Sequence, residues 1–262
     1  MSLIKPLGPN VWWTPTSFRM FFVTKINNNM VFFKVDSPRG KVLVAVNAVK
    51  STPELFAEVR ALEKQEGAQL FFVILGSDWH HLYAREWAEE FKLPIYFAGK
   101  RPVRLHQDEA YQKIILNKMN PAIDRLDVQL VPWLGFNGPL LATLPDERDR
   151  CELSVFHDGT LFIFDVLIPM SSQLPDFLQG GLVQWISDRV HGGEPRYWQN
   201  TIGFRPRDRA LCKASAEALI RLPVHTIVFS HGDAGRGAVV EGAAKCKALL
   251  QEHLGHFAAT RL

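Results

Sequence analysis

The sequence predicts an α/β protein built as a four-layer αββα sandwich, with two mixed β-sheets face to face and helices outside. Three observations carry this. The first 50 residues hold successive short Val- and Phe-rich segments parted by turn residues. Residues 69–75 (QLFFVIL) form a continuous apolar run, the mark of a strand buried on both faces. Helical periodicity interleaves with the later strands and returns near the end of the chain. A doubly wound single sheet is the competing architecture. The whole chain, residues 1–262, is read as one domain.

Taken in order, residues 18–25, 30–36 and 41–46 read as strands. Asn27-Asn28-Asn29 and Ser37-Pro38-Arg39-Gly40 are the turns expected between them, because Asn tolerates positive φ. Thr52-Pro53 opens a helix, with a capping hydroxyl followed by proline at the first helical position. Leu55, Val59 and Leu62 repeat on one face of it, and Gly67 ends it. After the 69–75 strand and Gly76-Ser77-Asp78, a helix is expected over 81–91 and a short strand over 94–97.

Residues 108–118 suit a helix, and 127–131 and 139–144 suit strands around a Pro-Trp-Leu-Gly turn. Residues 152–156 and 160–164 form a hairpin around Asp158-Gly159, a strong turn pair. The stretch 170–207, with several Gly and Pro and the aromatics Trp185, Tyr197 and Trp198, reads as a lid or an insertion. A helix over 208–220, a strand over 225–230 and a helix over 238–253 complete the pattern. In the last helix Val239, Ala243, Cys246 and Leu250 would share one face.

Composition narrows the function classes. A net charge of +3 and two short basic clusters without aromatic residues, 100–104 and 205–209, give no reason to expect nucleic acid. Cys151, Cys212 and Cys246 are far apart and form no CxxC pair, which fits a reducing, cytoplasmic location. No apolar run reaches the roughly 18 residues of a membrane helix. The first 13 residues, broken by Pro6 and Pro9, do not read as a signal peptide. A small-molecule substrate is the expected partner, and oligomeric state is left open.

Chemistry gathers where apolar strands end. The 69–75 strand runs into Asp78, His80 and His81, the 160–164 strand ends at Asp165, and the 225–230 strand ends at His231. Strand ends are where a rigid sheet offers side chains to a cleft, and imidazole and carboxylate are ordinary zinc or iron ligands. His157 is a weaker candidate, because the Asp158-Gly159 turn places it at the far end of its hairpin from Asp165. Trp79, Trp87, Trp185 and Trp198 suit packing better than a pocket lining. There is no GxSxG elbow for a serine nucleophile. The loop Gly232-Asp233-Ala234-Gly235-Arg236-Gly237 could hold an anion on its backbone N–H groups, but it matches no nucleotide fingerprint.

The order of these parts resembles the metallo-β-lactamase superfamily. In that family a strand ends in a His-x-His-x-Asp-His loop, a hairpin ends in a metal-bridging Asp, and a last strand delivers a further His. The matching segments are residues 74–87 (ILGSDWHHLYAREW), 153–168 (LSVFHDGTLFIFDVLI) and 224–235 (VHTIVFSHGDAG). With His81 set on the last His of the motif, Gly76 stands where the first His belongs, Asp78 replaces the second, and His80 replaces the Asp. No histidine occurs near 148–151, and Val46-Asn47 stands where an Asp-Thr-Gly-like turn is expected.

The resemblance therefore implies that the first metal position is dismantled. It implies that the second becomes a mononuclear site of His80, His81, Asp165 and His231 for one divalent ion, zinc first, iron or manganese next. Asp78 would orient or deprotonate the water. The function so implied is a metal-dependent hydrolase of a small ester, lactone, thioester or phosphoester. The alternative is a degenerate relative that holds no metal and uses the cleft for binding.

Overall fold

The structure, a computed structural model, describes residues 2–20, 24–77, 80–97, 115–116, 126–133, 136–137, 152–169, 197–199, 205–206, 208–233 and 237–258. Its strands are β1 (Lys5–Gly8), β2 (Val11–Met20), β3 (Thr24–Ser37), β4 (Gly40–Val46), β5 (Gln69–Leu75), β6 (Ile95–Phe97), β7 (Ile115–Leu116) and β8 (Gln129–Trp133). There follow β9 (Phe136–Asn137), β10 (Glu152–His157), β11 (Thr160–Ile163), β12 (Leu167–Pro169), β13 (Tyr197–Gln199), β14 (Arg205–Pro206), β15 (Thr226–Phe229) and β16 (Val239–Glu241). The described helices are α1 (Pro53–Glu66), α2 (Ala84–Phe91), α3 (Arg209–Ile220) and α4 (Ala243–Ala258).

Two mixed sheets form the centre. One runs β1-β2-β3-β4-β5-β6-β7, antiparallel through β4 and parallel from β4 onward. The other runs β16-β15-β11-β10-β8, with β11 and β15 parallel and the remaining pairs antiparallel. Alternation along the strands sorts their side chains into three apolar layers. Val31, Phe33, Val44, Phe72 and Ile74 of the first sheet meet Val155, Phe162 and Val228 of the second. Their neighbours Phe32, Leu43, Ala45 and Val73 face outward onto Leu55, Val59 and Leu62 of α1 and Trp87 of α2. Leu161, Ile163, Ile227 and Phe229 face the other way, onto Cys212, Ala216 and Leu219 of α3 and Cys246 and Leu250 of α4. This is the four-layer sandwich expected from the sequence.

Local chemistry explains the sharp boundaries. Thr52 accepts from the Leu55 N–H at the start of α1, and Gly67, at φ 60°, closes the helix. Asp208 caps α3 by accepting from Ala210 and Leu211. Asp158 and Gly159 both have positive φ, 46° and 73°, which a two-residue hairpin with matching twist needs.

Four expectations are corrected. Asn27–29 are not a turn but lie inside β3, where the side-chain amide N–H groups of Asn28 and Asn29 donate to carbonyls of other segments. The helix expected from 81 begins at Ala84, because residues 80–83 form turns. Residues 115–116, placed in a helix, pair with β6 instead. The last helix begins at Ala243, and Val239 belongs to β16, which Gly242 at φ 102° separates from α4. Trp87 is a core residue, fully buried with its Nε1–H donating to the Val49 carbonyl.

Of the 170–207 stretch, β13 pairs with β12 and β14 with β9. The rest of it, the 139–144 strand, Trp79, Trp185 and residues 234–236 of the 232–237 loop lie outside the described residues. Among the described residues, no helix is long and apolar enough to cross a membrane.

Candidate metal centre

Strands β4, β5, β11 and β15 deliver their C-terminal ends to one mouth between the two sheets. The site is made there by the residues that follow the strands. His80 lies in the turn after β5, anchored by its N–H to the Ser77 carbonyl at 3.2 Å. Asp165 follows β11 and His231 follows β15. His80 and Asp165 are buried, while His231 is partly open.

The two imidazoles converge on one carboxylate oxygen. Nε2 of His80 and Nε2 of His231 each lie 3.0 Å from Asp165 Oδ1. The Ser77 hydroxyl donates to Asp165 Oδ2 at 2.7 Å. Ligand atoms of His80, Asp165 and His231 all lie within 4.8 Å of one another. Donors on one tetrahedral zinc sit roughly 3.4 Å apart, given ligand distances near 2.1 Å. Each imidazole nitrogen stands a few tenths of an ångström closer to Asp165 Oδ1 than two donors on one such ion would.

The backs of the rings decide what their fronts can do. Asn47 Nδ2 donates to the Asn29 carbonyl and to Asn28 Oδ1, and Asn47 Oδ1 accepts from the Ala48 N–H, each at 2.7 Å. Backbone groups thus fix the amide orientation, so the atom facing His80 Nδ1, at 3.0 Å, is an acceptor. The His80 proton must sit on Nδ1. His231 Nδ1 faces the Asn27 carbonyl at 2.7 Å and must likewise carry a proton. A neutral ring of that tautomer presents a bare Nε2 lone pair to a carboxylate oxygen. The arrangement is satisfied only by positive charge at its centre, either a shared cation or an extra proton on each ring. Outer partners that lock Nδ1–H are what metal-binding histidines ordinarily have.

Electrostatics follow from the same contacts. Burial pushes the Asp165 carboxyl up, but the His80 charge and the bonds from His231 and His80 outweigh it and hold it far below its usual range. Burial presses the His231 imidazole down, yet its bond to Asp165, the Asp165 charge and the Asn27 carbonyl leave it raised. Glu152, fully buried behind Asp165, is raised well above the ordinary carboxyl value by burial and then by the Asp165 charge, against the backbone N–H groups it accepts.

Three of the four expected ligands therefore come together. His81 is outside the group: it is half-buried in the turn leading to α2, its carbonyl accepting from the Ala84 N–H. Consecutive side chains on a turn point different ways, and His80 is the one turned inward. Asp78 lies outside the described residues. His157 is at the opposite end of the sandwich, its ring nitrogens facing the carbonyls of Asp127 and Lys34.

Gly76 has no room for the first motif histidine, since a Cβ there would fall 2.2 Å from the Phe164 ring and 2.7 Å from the Leu153 carbonyl. Asn47, Asn27–29, Ser77 and Glu152 were not anticipated as site residues. A charged residue opening an otherwise apolar strand was the available signal for Glu152.

The fold is that of the metallo-β-lactamases, and at the mouth between its sheets His80, Asp165 and His231 form a group that could hold a metal ion. No protein-family model and no curated protein sequence matches the chain. Solved structures do. A metallo-β-lactamase from Hirschia baltica superposes with a TM-score of 0.54 at 11% identity, over 99% of this chain and 98% of that one. The FIM-1 metallo-β-lactamase of Pseudomonas aeruginosa, in its mono-zinc form, gives 0.53 at 11% identity, over 98% and 96%. A metallo-β-lactamase from Pontibacter korlensis gives 0.51 at 11% identity, over 95% and 99%. At such identity the likeness establishes the fold and leaves the chemistry to the residues.

Proposed function

We propose that the chain is a metal-dependent hydrolase with a mononuclear centre held by His80, Asp165 and His231. The observation that carries this is the pair of locked Nδ1–H tautomers, which aim two imidazole lone pairs at one carboxylate oxygen. Two imidazoles and a carboxylate suit catalytic zinc, and the same set suits ferrous iron or manganese. When bound, such an ion supplies Lewis acidity and an acidified water.

The chain's own residues do the rest. Asn47 and the Asn27 carbonyl hold the rings in their tautomers, and Ser77 fixes the free oxygen of Asp165. Asp78, two residues ahead of His80, is proposed to orient the attacking water and accept its proton. The substrate class is a small ester, lactone, thioester or phosphoester.

A second reading, a binding protein that keeps the fold without a metal, is favoured by the sealed position at Gly76. Elemental analysis of untagged protein separates the two. About one equivalent of zinc, iron or manganese, lost in His231→Ala and kept in His81→Ala, supports the hydrolase. Protein that stays empty after reconstitution refutes it.

A further inference from the structure

Glu152 has no role in the mechanism above, yet it is a fully buried carboxylate placed against the metal centre. One of its oxygens accepts the Asp165 N–H at 2.9 Å and the other accepts the Val166 N–H at 3.1 Å. Its backbone is bridged to Ser77, and the Leu153 N–H donates to the Gly76 carbonyl. Ser77 in turn donates its hydroxyl to Asp165 Oδ2. Glu152, Ser77 and Asp165 thus close a ring that ties the turn carrying His80 to the loop carrying Asp165.

A buried carboxylate is expensive unless paired, and two backbone N–H groups could have been met by a neutral acceptor.

We propose that Glu152 is a positioning residue for the metal centre, holding the Asp165 loop from behind through the Asp165 and Val166 N–H groups. This rests on the metal-centre reading above. Outer partners of metal ligands change affinity by about 10- to 100-fold when removed, and Glu152 is placed to act in that way.

Cobalt(II) added to the full chain tests it, read as a dissociation constant by chelator competition and as the visible d–d spectrum. Glu152→Gln, which turns one acceptor into a donor facing an N–H, is expected to bind cobalt about 10- to 100-fold more weakly and with a shifted spectrum. Glu152→Asp, which keeps the carboxyl group and shortens the reach, should recover part of the affinity. A merely structural Glu152 would lower the unfolding midpoint of the metal-free chain but leave the spectrum of the folded protein unchanged.

Wild-type binding with the same constant and spectrum in Glu152→Gln overturns the proposal. If that variant does not fold, Glu152→Asp is judged by the same two readouts. Wild-type protein that takes up no cobalt removes the metal centre itself, and the proposal with it.

Discussion

The two ends of the sandwich each bury histidine between the sheets, and they use it in opposite ways. At the hairpin end His157 sets one ring nitrogen against the Asp127 carbonyl and the other against the Lys34 carbonyl at 3.1 Å, with Phe33 edge-on to the ring. Both ring nitrogens thus face backbone carbonyls, and among the described residues His157 joins no group of ligand-type side chains. At the other end His80 and His231 face a neutral acceptor at Nδ1, while Nε2 of both faces one carboxylate oxygen. Burial is similar for His157 and His80, 7% and 6% exposed, so burial does not distinguish them. What faces Nε2 does: the Lys34 carbonyl for His157, and a carboxylate shared by two rings for His80 and His231.

The strongest way to break this comparison is to remove a front-side partner. Asp165→Ala or His80→Ala should take metal content from about one equivalent to none, while His157→Gln keeps it, all read by elemental analysis. Equal loss in all three would mean that the ends do not differ in metal chemistry.

A back-side change is the next largest. Asn47→Leu removes the acceptor that holds the His80 tautomer and should weaken metal binding by about 10- to 100-fold in a chelator competition. An unchanged constant would show that the tautomer is set elsewhere.

The pH dependence is smaller per step and has a definite sign. His231 is raised in the metal-free chain, so its proton competes with the ion to a higher pH than an ordinary imidazole would allow. Asp165 is lowered and stays a ready acceptor. Metal affinity should therefore fall as pH falls, by about tenfold per pH unit for each proton displaced. Stability of the metal-free chain runs the other way. The protonated His231–Asp165 pair stabilises fully below the ring's ordinary value of 6.5, and that contribution is lost as pH rises through the raised folded value. Denaturant midpoints against pH, with and without chelator, should slope in opposite directions, and parallel slopes would refute the linkage.

The smallest expected effect lies at the hairpin end. His157→Gln should cost roughly 1–3 kcal/mol of unfolding free energy, from one strained or unmade bond to a buried carbonyl, with no change in metal affinity. A shifted affinity there would mean that the two ends communicate through the sheets.

Much of the fold was legible because its signals are local. The run at 69–75, the Thr52-Pro53 start with Gly67 behind it, and the Asp158-Gly159 turn each state their structure within a few residues. The misreadings fell where a local preference was outweighed by distant partners. Asn27, Asn28 and Asn29 have the composition of a turn. Within β3, however, the Asn29 amide donates to the Phe229 and Gly232 carbonyls, some 200 positions away in the chain, and Asn28 accepts from Asn47. The site was legible in residue type and order, but less so in membership. His80 and His81 are indistinguishable in sequence, and Glu152 resembles an ordinary strand-end charge.

By itself the sequence determined the layered α/β architecture and the strand ends that carry His80, Asp165 and His231, because hydrophobic period and capping are written along the chain. The tertiary structure alone decided that His80 turns inward and His81 does not, and that Phe164 and the Leu153 carbonyl fill the space at Gly76. It also decided that Asn47 and the Asn27 carbonyl leave two lone pairs facing one carboxylate. These are matters of direction and contact between residues far apart in the chain. They exist only once the two sheets have closed on each other.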